Sequence, residues 1–287
     1  MEKLIRSDKK YIDLDVILKE KNPKLYRILP GFVKNYIRRV IHEKQMNEFL
    51  AVHGEKQDME FIHAVIGEFN MEVKVIGREN IPSEGGCIFA ANHPLGGLDA
   101  ITMLDVISEK RTDLKFIVND ILLQLKNLSG LFTGVNKHGR TSTGTLDGID
   151  KLYASEQGVL IFPAGLVSRK QKGKILDLEW KKSFITKSKK YNRPVIPVHI
   201  EARNSDRFYN LATWRKRIGI GTNIEMLFLV DEMYYQRNKT ITIIFGAPVP
   251  SSVFSGDRSD REWAAVMREH VYALGSGRLD TLKKYME

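Results

Sequence analysis

A histidine and an aspartate six positions apart are the residues of this 287-residue chain that first suggest a chemistry. They stand in the segment ANHPLGGLD, where His93 follows an apolar run that predicts a strand and Asp99 lies near a predicted helix start. A neutral imidazole accepts a proton from a hydroxyl near neutral pH, and a carboxylate on its other ring nitrogen fixes its tautomer. The pair predicts a general base with its orienting acid; a strand-end histidine that only bonds the backbone is the alternative.

Two glycines lie between these residues. Gly96 and Gly97 allow a tight turn, because glycine adopts backbone conformations that other residues avoid. Free N–H groups at the start of the helix that follows are suited to bind an anion or an oxyanion. We therefore expect the turn to contribute backbone donors beside the histidine.

A second distinctive loop reads IFPAGLVSR, from Ile161 to Arg169. An apolar strand ends there in Pro163 and Gly165, and the chain then enters a basic cluster. Active sites of open α/β sheets lie past the carboxyl ends of strands, and both loops follow predicted strands. The two loops are therefore expected to form one site.

Together the loops resemble the glycerolipid and lysophospholipid acyltransferase family, in its hemolysin-like bacterial branch. The first motif of that family is Asn-His followed at short spacing by Asp, matched here by Asn92, His93 and Asp99. Its third motif is Phe-Pro-Glu-Gly, and this chain has Ala164 in place of the glutamate. Five residues separate His93 from Asp99, one more than in the commonest form of the first motif.

Two weaker matches lie where that family would place them. The segment 132–135, followed by Lys137 and Arg140, resembles the second motif, in which a basic residue helps to hold the acceptor. The segment 194–198 resembles the fourth motif, an apolar strand near the acyl site. The resemblance covers about residues 71–250.

The resemblance implies an O-acyltransferase. Its His93 would deprotonate the hydroxyl of a lyso-lipid, which attacks the thioester of acyl-carrier protein or acyl-CoA without a covalent acyl-enzyme. No cofactor and no metal site are expected, and Cys87, inside an apolar strand, is not expected to be a nucleophile. An N-acyltransferase acting on an amino acid and a catalytically inactive lipid-binding protein are the alternatives.

Beside the catalytic pair, the resemblance implies a set of substrate-binding residues. They are Asn92, Gly96, Gly97, Lys137, Arg140, Phe162, Pro163, Gly165, Ser168 and Arg169. The third motif lacks the arginine of many family members, so Arg169 and, across the loop, Lys137 and Arg140 are left to bind an anion. We therefore predict a carboxylate-bearing acceptor, such as a hydroxylated N-acyl amino-acid lipid, ahead of lysophosphatidic acid or glycerol-3-phosphate.

The net charge of +10 comes from two clusters. Residues 169–193 hold ten basic and two acidic residues, a local charge of +8, and residues 24–44 add a local +5. Such clusters favour a polyanionic partner, either an anionic membrane surface or an acidic carrier protein. No recognition motif for DNA or RNA accompanies them, so no nucleic-acid partner is expected.

The pattern of apolar residues predicts an α/β fold with a mostly parallel central sheet and helices on both faces. A helical segment over residues 1–70 precedes the α/β domain at 71–256, and a helical segment at 257–287 closes the chain. The predicted strands are 73–76, 87–91, 115–118, 158–162, 195–200, 226–230 and 241–245. The predicted helices between and after them are 98–109, 119–127, 143–155, 179–190, 206–216 and 260–274.

No run of about 18 to 20 apolar residues predicts a spanning helix. The N-terminus also lacks the apolar core of a secretory signal, so we expect a cytoplasmic protein that is peripheral on the inner face of the cell membrane. A basic amphipathic stretch at 25–41 either covers the core or rests on that membrane.

Overall fold

The computed structural model describes residues 10–119, 122–135, 143–219, 221, 223–256, 258–278 and 281–282. The helices are α1 Leu14–Lys21, α2 Pro23–Ile28, α3 Gly31–Val40, α4 Glu43–His53, α5 Asp58–Phe69, α6 Gly97–Ser108, α7 Thr143–Ala154, α8 Ser183–Tyr191, α9 Asp206–Arg217, α10 Leu229–Tyr235 and α11 Asp260–Leu274. The strands are β1 Glu72–Ile76, β2 Cys87–Ala91, β3 Leu114–Asn119, β4 Phe132–Val135, β5 Gly158–Ile161, β6 Arg169–Gln171, β7 Lys174–Leu176, β8 Val195–Glu201 and β9 Thr240–Phe245. Within this part of the chain, no helix combines the length and apolar character needed to cross a membrane.

The N-terminal helices α1 to α5 precede the first strand of the sheet. The Asp13 carboxylate caps α1, and α2 ends before Pro30, where Leu29 has the extended backbone that a following proline favours. His42, at the start of α4, forms a hydrogen bond between its Nε2 and Asp231 Oδ1 at 2.9 Å. Its ring also stacks on that of Tyr234, with the centroids 3.9 Å apart. These two contacts tie the N-terminal helices to α10.

Seven strands form the central sheet in the order β1-β9-β8-β2-β5-β3-β4. All neighbouring pairs in this order are parallel except β8 and β9. The predicted α/β class with a mostly parallel sheet is therefore confirmed.

Helices cover both faces of this sheet, as predicted. Alternate residues of a strand point to opposite faces, and β2 shows this directly. Phe89 packs in a core with Leu104 of α6, whereas Ile88 packs in a separate core with Phe184 of α8 and Met267 of α11. The strand is fully buried because both of its faces are covered.

Besides the edge strand β4, which was not predicted, the structure departs from the predicted elements in three places. The segment 226–230 is not a strand: a 3₁₀ turn, Ile224–Phe228, leads there into α10. A short apolar run does not by itself distinguish a strand from a helix. In this turn Glu225 is buried and forms ion pairs with two arginines from outside the turn, Arg169 and Arg215. Where residues of the predicted helix at 119–127 are described, they end β3 or form two short 3₁₀ turns, Leu122–Gln124 and Lys126–Leu128.

The third departure is an unpredicted hairpin formed by β6 and β7. Its two turn residues, Lys172 and Gly173, both have positive φ angles, 48° and 82°. That conformation matches the right-handed twist of a tight hairpin.

The position of β2 beside β5 brings the two predicted site loops together. The strands are parallel, and Ala90 pairs with Ile161 near their carboxyl ends. The loops that begin at Asn92 and Phe162 therefore leave the sheet at the same edge.

Candidate active site

The His93 ring and the Asp99 carboxylate are in direct contact. His93 Nδ1 lies 2.8 Å from Asp99 Oδ2. Asp99 is completely buried, while the His93 side chain keeps 17% of its surface exposed. The geometry is that of a base whose Nδ1 is held by a buried acid and whose ring remains partly exposed.

The turn at Gly96 places the carboxylate. Asp99 Oδ2 accepts two further hydrogen bonds, from the backbone N–H groups of Leu95 at 2.9 Å and Gly96 at 3.0 Å. Gly96 has a φ of 97°, which residues with a Cβ rarely adopt. Because Gly96 precedes the first residue of α6, Asp99 is the third helical residue and also caps the helix.

Burial raises the pKa of the Asp99 carboxyl, and the hydrogen bonds from His93, Leu95 and Gly96 act in the opposite direction. Oδ1 of this carboxyl is buried and has no hydrogen-bond partner among the described residues. A proton taken up by His93 would give this buried carboxylate a cationic neighbour.

The His93 ring is held between Asp99 and an aromatic wall. It stacks on Phe162 with ring centroids 4.1 Å apart and an interplanar angle of 11°. Phe116 meets Phe162 edge to face at 5.3 Å. When Nδ1–H is donated to Asp99, Nε2 carries the lone pair, which makes it the basic nitrogen.

Asp177, which the sequence analysis did not single out, supports the His93 backbone. Its Oδ1 accepts the His93 N–H at 3.1 Å and the Ser168 hydroxyl at 2.6 Å, and its Oδ2 accepts the Trp180 indole N–H at 2.8 Å. The side chain is completely buried. One signal was present in the sequence: Asp177 is one of only two acids in the basic cluster at 169–193.

An apolar cleft of about 180 Å³ opens beside His93. Its lining residues are His93, Phe116, Ile117, Val118, Leu122, Ile161, Phe162, Pro163, Gly165, Lys181 and Ser183. The cleft thus joins the basic histidine, mostly apolar walls and a single lysine. Phe162, Pro163 and Gly165 are the predicted substrate-binding residues that the structure places in it.

Asn92 and Ser168 were predicted to bind substrate, and the structure corrects both. The Asn92 amide donates to the Ile200 carbonyl at 2.9 Å and accepts the Ile200 N–H at 2.7 Å, so it links β2 to β8. Ser168 is buried, and its backbone N–H donates to the His93 carbonyl at 2.8 Å. The polar groups of both residues are therefore hydrogen-bonded within the protein, where they hold the loop that carries His93.

Arg169 was predicted to bind an anionic acceptor, but the structure places its guanidinium in a buried ion pair. The side chain is buried and pairs with Glu225 at 3.0 Å, while Arg215 pairs with the same carboxylate at 2.8 Å. The Arg169 guanidinium also donates to the Val167 carbonyl at 2.7 Å. The charge of this guanidinium is therefore paired inside the protein, and its side chain is buried.

The remaining predicted residues divide into two groups. The Gly96 N–H is occupied by Asp99, so it does not serve an outside anion, whereas Gly97 is exposed at the first position of α6. Lys137 and Arg140 lie outside the described residues.

Half of the basic residues in the cluster at 169–193 are bonded to other groups of the protein. Lys187 and Lys190 pair with Asp150, Lys189 pairs with Asp260, and Arg193, like Arg169, is buried. The other members are exposed, and no carboxylate of a described residue lies within 4 Å of them; these members are Lys170, Lys172, Lys174, Lys181 and Lys182.

Cys87 is buried in β2, as predicted. Burial raises the pKa of its thiol to about 11, which leaves it protonated near neutral pH.

Comparison with known proteins gives several matches. A family model described as "Acyltransferase" matches residues 16–281. A "Lyso-glycine lipid O-acyltransferase" of Bacteroides thetaiotaomicron is 41% identical over 264 residues, which cover 92% of this chain and 97% of that protein. A protein of the same name from Phocaeicola vulgatus is 40% identical, with 92% and 95% covered. The solved structure of the 1-acyl-sn-glycerophosphate (LPA) acyltransferase PlsC from Thermotoga maritima matches 84% of this chain and 95% of its own, with 18% identity and a TM-score of 0.47.

Proposed function

This chain belongs to the acyltransferase family, and from that premise we propose that it transfers a fatty acyl group from a thioester to the hydroxyl of a lyso-lipid. The observation that carries the proposal is the His93–Asp99 pair beside an apolar cleft. The two relatives, each covered almost over its full length, are named O-acyltransferases of a lyso-glycine lipid. Their names favour oxygen over nitrogen as the atom that receives the acyl group.

In the proposed reaction, His93 Nε2 takes the proton from the acceptor hydroxyl. The hydroxyl oxygen attacks the thioester carbonyl, and the carbonyl π electrons move to its oxygen to form a tetrahedral intermediate. When the intermediate collapses, the C–S bond breaks, and the leaving thiolate takes the proton from the His93 imidazolium. The products are an ester and a free thiol, and no acyl-enzyme is formed.

Asp99 supports the base in this scheme. With Oδ2 on Nδ1–H, the imidazole keeps the tautomer that leaves Nε2 unprotonated. The imidazolium formed during attack lies 2.8 Å from this carboxylate, which favours its charged form. The Phe162 ring limits rotation of the imidazole.

The apolar cleft suits the hydrocarbon part of a lipid. Phe116, Ile117, Val118 and Leu122 contribute apolar side chains to its lining. Burial of a methylene group contributes about 0.8 kcal/mol, so a few carbons of an acyl chain would fix the reacting carbonyl near His93. Gly97, exposed at the start of α6, is our candidate donor to the oxyanion.

The acyl donor is proposed to be a thioester of acyl-carrier protein or of coenzyme A. Both carry negative charge, and the unpaired lysines 170, 172 and 174, on the β6–β7 hairpin that follows the loop 161–169, give that surface a positive potential. No bound cofactor is required, since the thioester is itself the activated substrate.

Peripheral membrane binding is proposed for α2 and α3. Ile28 and Phe32 are each 76% exposed, although both are large and apolar. Lys24, Arg27 and Lys34 lie in the same two helices. Apolar side chains flanked by cations are typical of a helix that rests on an anionic bilayer.

An acyl-transfer assay with purified protein tests the proposed function. The substrates are a hydroxylated N-acyl glycine and an acyl-carrier-protein thioester, and the readouts are the O-acylated lipid and the released thiol. The His93→Ala variant should fold and lose about 10² to 10⁴ in turnover. Asp99→Asn should lose as much or less, whereas Asp105→Asn, a control on the same helix, should retain activity.

Transfer by His93→Ala at more than about a tenth of the wild-type rate would show that another group is the base. Acylation of the glycine nitrogen of a non-acylated amino acid, with none of the hydroxyl, would establish the N-acyltransferase alternative.

A further inference from the structure

Lys181 is the one cationic side chain, other than a protonated His93, among the described residues that line the cleft. It is exposed, and no carboxylate of the described residues lies within 4 Å of its ammonium group. The carboxylates of Asp99 and Asp177 do not neutralise Lys181, because both are buried and their bonded oxygens accept hydrogen bonds from other groups. The cleft therefore carries an uncompensated positive charge.

The position of Lys181 is set by the same loops that hold His93. Its backbone N–H donates to the Pro163 carbonyl at 3.0 Å, and the preceding residue, Trp180, is buried and bonded to Asp177. The side chain passes over Gly165, where a Cβ would lie 3.4 Å from the lysine Nζ and 3.8 Å from its Cε. The absence of a side chain at Gly165 leaves this route open.

We propose that Lys181 binds the anionic headgroup of the acceptor and makes the enzyme prefer an acceptor with a single carboxylate. This inference rests on the proposed function, because it assigns a residue to the acceptor of that reaction. It also assigns to Lys181 the anion-binding role that the sequence predicted for Arg169, whose guanidinium is paired with Glu225. A lysine ammonium is a point charge, which a carboxylate matches one to one.

The charge balance explains the preference for a carboxylate. A phosphate monoester carries about −1.5 to −2 charge near neutral pH. One ammonium would leave part of that charge uncompensated against the apolar walls of the cleft, and burying unpaired charge is costly. A carboxylate brings one charge, which Lys181 neutralises.

The experiment compares an N-(3-hydroxyacyl)glycine with its methyl ester, which keeps the chain and the hydroxyl but lacks the charge. Full-length protein in detergent is assayed with a saturating acyl-carrier-protein thioester, as wild type and as the variants Lys181→Ala, Lys181→Arg and Lys182→Ala. Lys182 is the matched control, because it is an exposed lysine next in the chain that does not line the cleft.

Wild-type protein should have a KM for the acid about tenfold to a hundredfold below that for the ester, as expected for one charge-assisted hydrogen bond. Lys181→Ala should raise the KM for the acid by a similar factor and leave the values for the ester and the donor unchanged. Lys181→Arg should recover most of the preference, and Lys182→Ala should behave as wild type.

Three results would overturn the inference: equal KM values for acid and ester in the wild type, equal effects of Lys181→Ala on both, or an effect confined to the donor. An effect confined to the donor would mean that the Lys181 ammonium binds the phosphodiester of the donor instead of the acceptor. A clear preference for lysophosphatidic acid would overturn the single-charge argument.

Calorimetric titration of the acid and the ester without donor separates this inference from the proposed function. Tighter binding of the acid that is lost in Lys181→Ala supports the lysine contact even where no ester product forms, in which case the proposed reaction alone fails. Ester formation with equal binding of acid and ester supports the reaction and refutes the contact.

Discussion

The backbone N–H of His93 donates to Asp177 Oδ1 across 3.1 Å, although 84 residues separate the two in the chain. The same carboxyl group receives the Trp180 indole, and Trp180 immediately precedes Lys181. The base and the lysine that we assign to the acceptor are therefore attached to one buried carboxylate. Asp177 thus links the backbone of the base to the segment that carries the lysine.

Replacement of Asp177 should reduce both stability and activity. Asp177→Ala leaves the His93 N–H and the Trp180 indole without an acceptor and the Ser168 hydroxyl with only the His93 carbonyl at 3.3 Å, and each unsatisfied buried donor costs about 1–3 kcal/mol. We expect the free energy of unfolding, measured with urea, to fall by about 3 kcal/mol or more. Asp177→Asn, which keeps one acceptor oxygen, should lose less. Glu179→Gln, an exposed neighbour, is the control, and an unchanged unfolding energy in Asp177→Ala would refute the role of the carboxylate.

Replacement of Arg169 should affect stability and leave acceptor binding intact. In Arg169→Met the fully buried Glu225 keeps Arg215 but loses its second guanidinium, so we expect a loss of about 3 kcal/mol in the free energy of unfolding. The KM for the acceptor, measured on the folded protein, should stay at the wild-type value. A stable variant with weakened acceptor binding would restore Arg169 as a substrate ligand.

Acid should destabilise the protein through two buried histidines. Burial lowers the pKa of His199 to about 4, and the same cause lowers the pKa of His270 to about 4. The unfolded chain binds these protons near pH 6.5 and the folded chain does not, so stability falls as the pH decreases from about 6.5 to about 4. Each histidine should account for about 3 kcal/mol of that loss.

The variant His199→Gln isolates one of these contributions. Its unfolding free energy should depend less steeply on pH between 4 and 6.5 than that of the wild type, whatever its absolute stability. Urea unfolding at several pH values gives this slope. Identical slopes for the two proteins would mean that His199 does not stay neutral in the fold.

Membrane binding should depend on the exposed apolar residues of α2 and α3. Phe32→Glu places a negative charge on this face, so sedimentation with anionic vesicles should fall about tenfold or more, given the free energy of burying a phenylalanine. Ile76→Glu is the matched control, because Ile76 is 55% exposed at the carboxyl end of β1, which runs opposite to β2 and so ends at the far edge of the sheet. Equal losses in both variants would remove α2 and α3 as the contact surface.

The local signals in the sequence were sufficient for most elements of the fold. The strand Cys87–Ala91 and the helix Asp260–Leu274 have the predicted bounds. The strand is a pure apolar run, and the helix starts at a capping box in which Ser259 and Glu262 bond each other's backbone N–H groups. Such signals involve only a few neighbouring residues, so they can be recognised in the sequence without knowledge of the tertiary structure.

The errors arise where distant residues decide the local structure. The turn at Ile224–Phe228 depends on Glu225 and its partner Arg169, 56 residues earlier in the chain. No periodicity in the sequence shows that pairing. For the same reason Arg169 looked like an available cation and Asp177 was overlooked, whereas the contact between His93 and Asp99, made within one loop, followed from the motif.

The double use of Asp99 has an evolutionary consequence. Its Oδ2 both orients the His93 ring and caps α6 through the Gly96 N–H, and a helix cap contributes about 0.5–2 kcal/mol. A residue inserted or deleted between His93 and Asp99 would displace the helix start and detach the partner of the base in a single step. Selection for folding and selection for activity therefore act on the same codon, and a loop of another length, such as the shorter one of the commonest motif, must keep both contacts of the carboxylate at once.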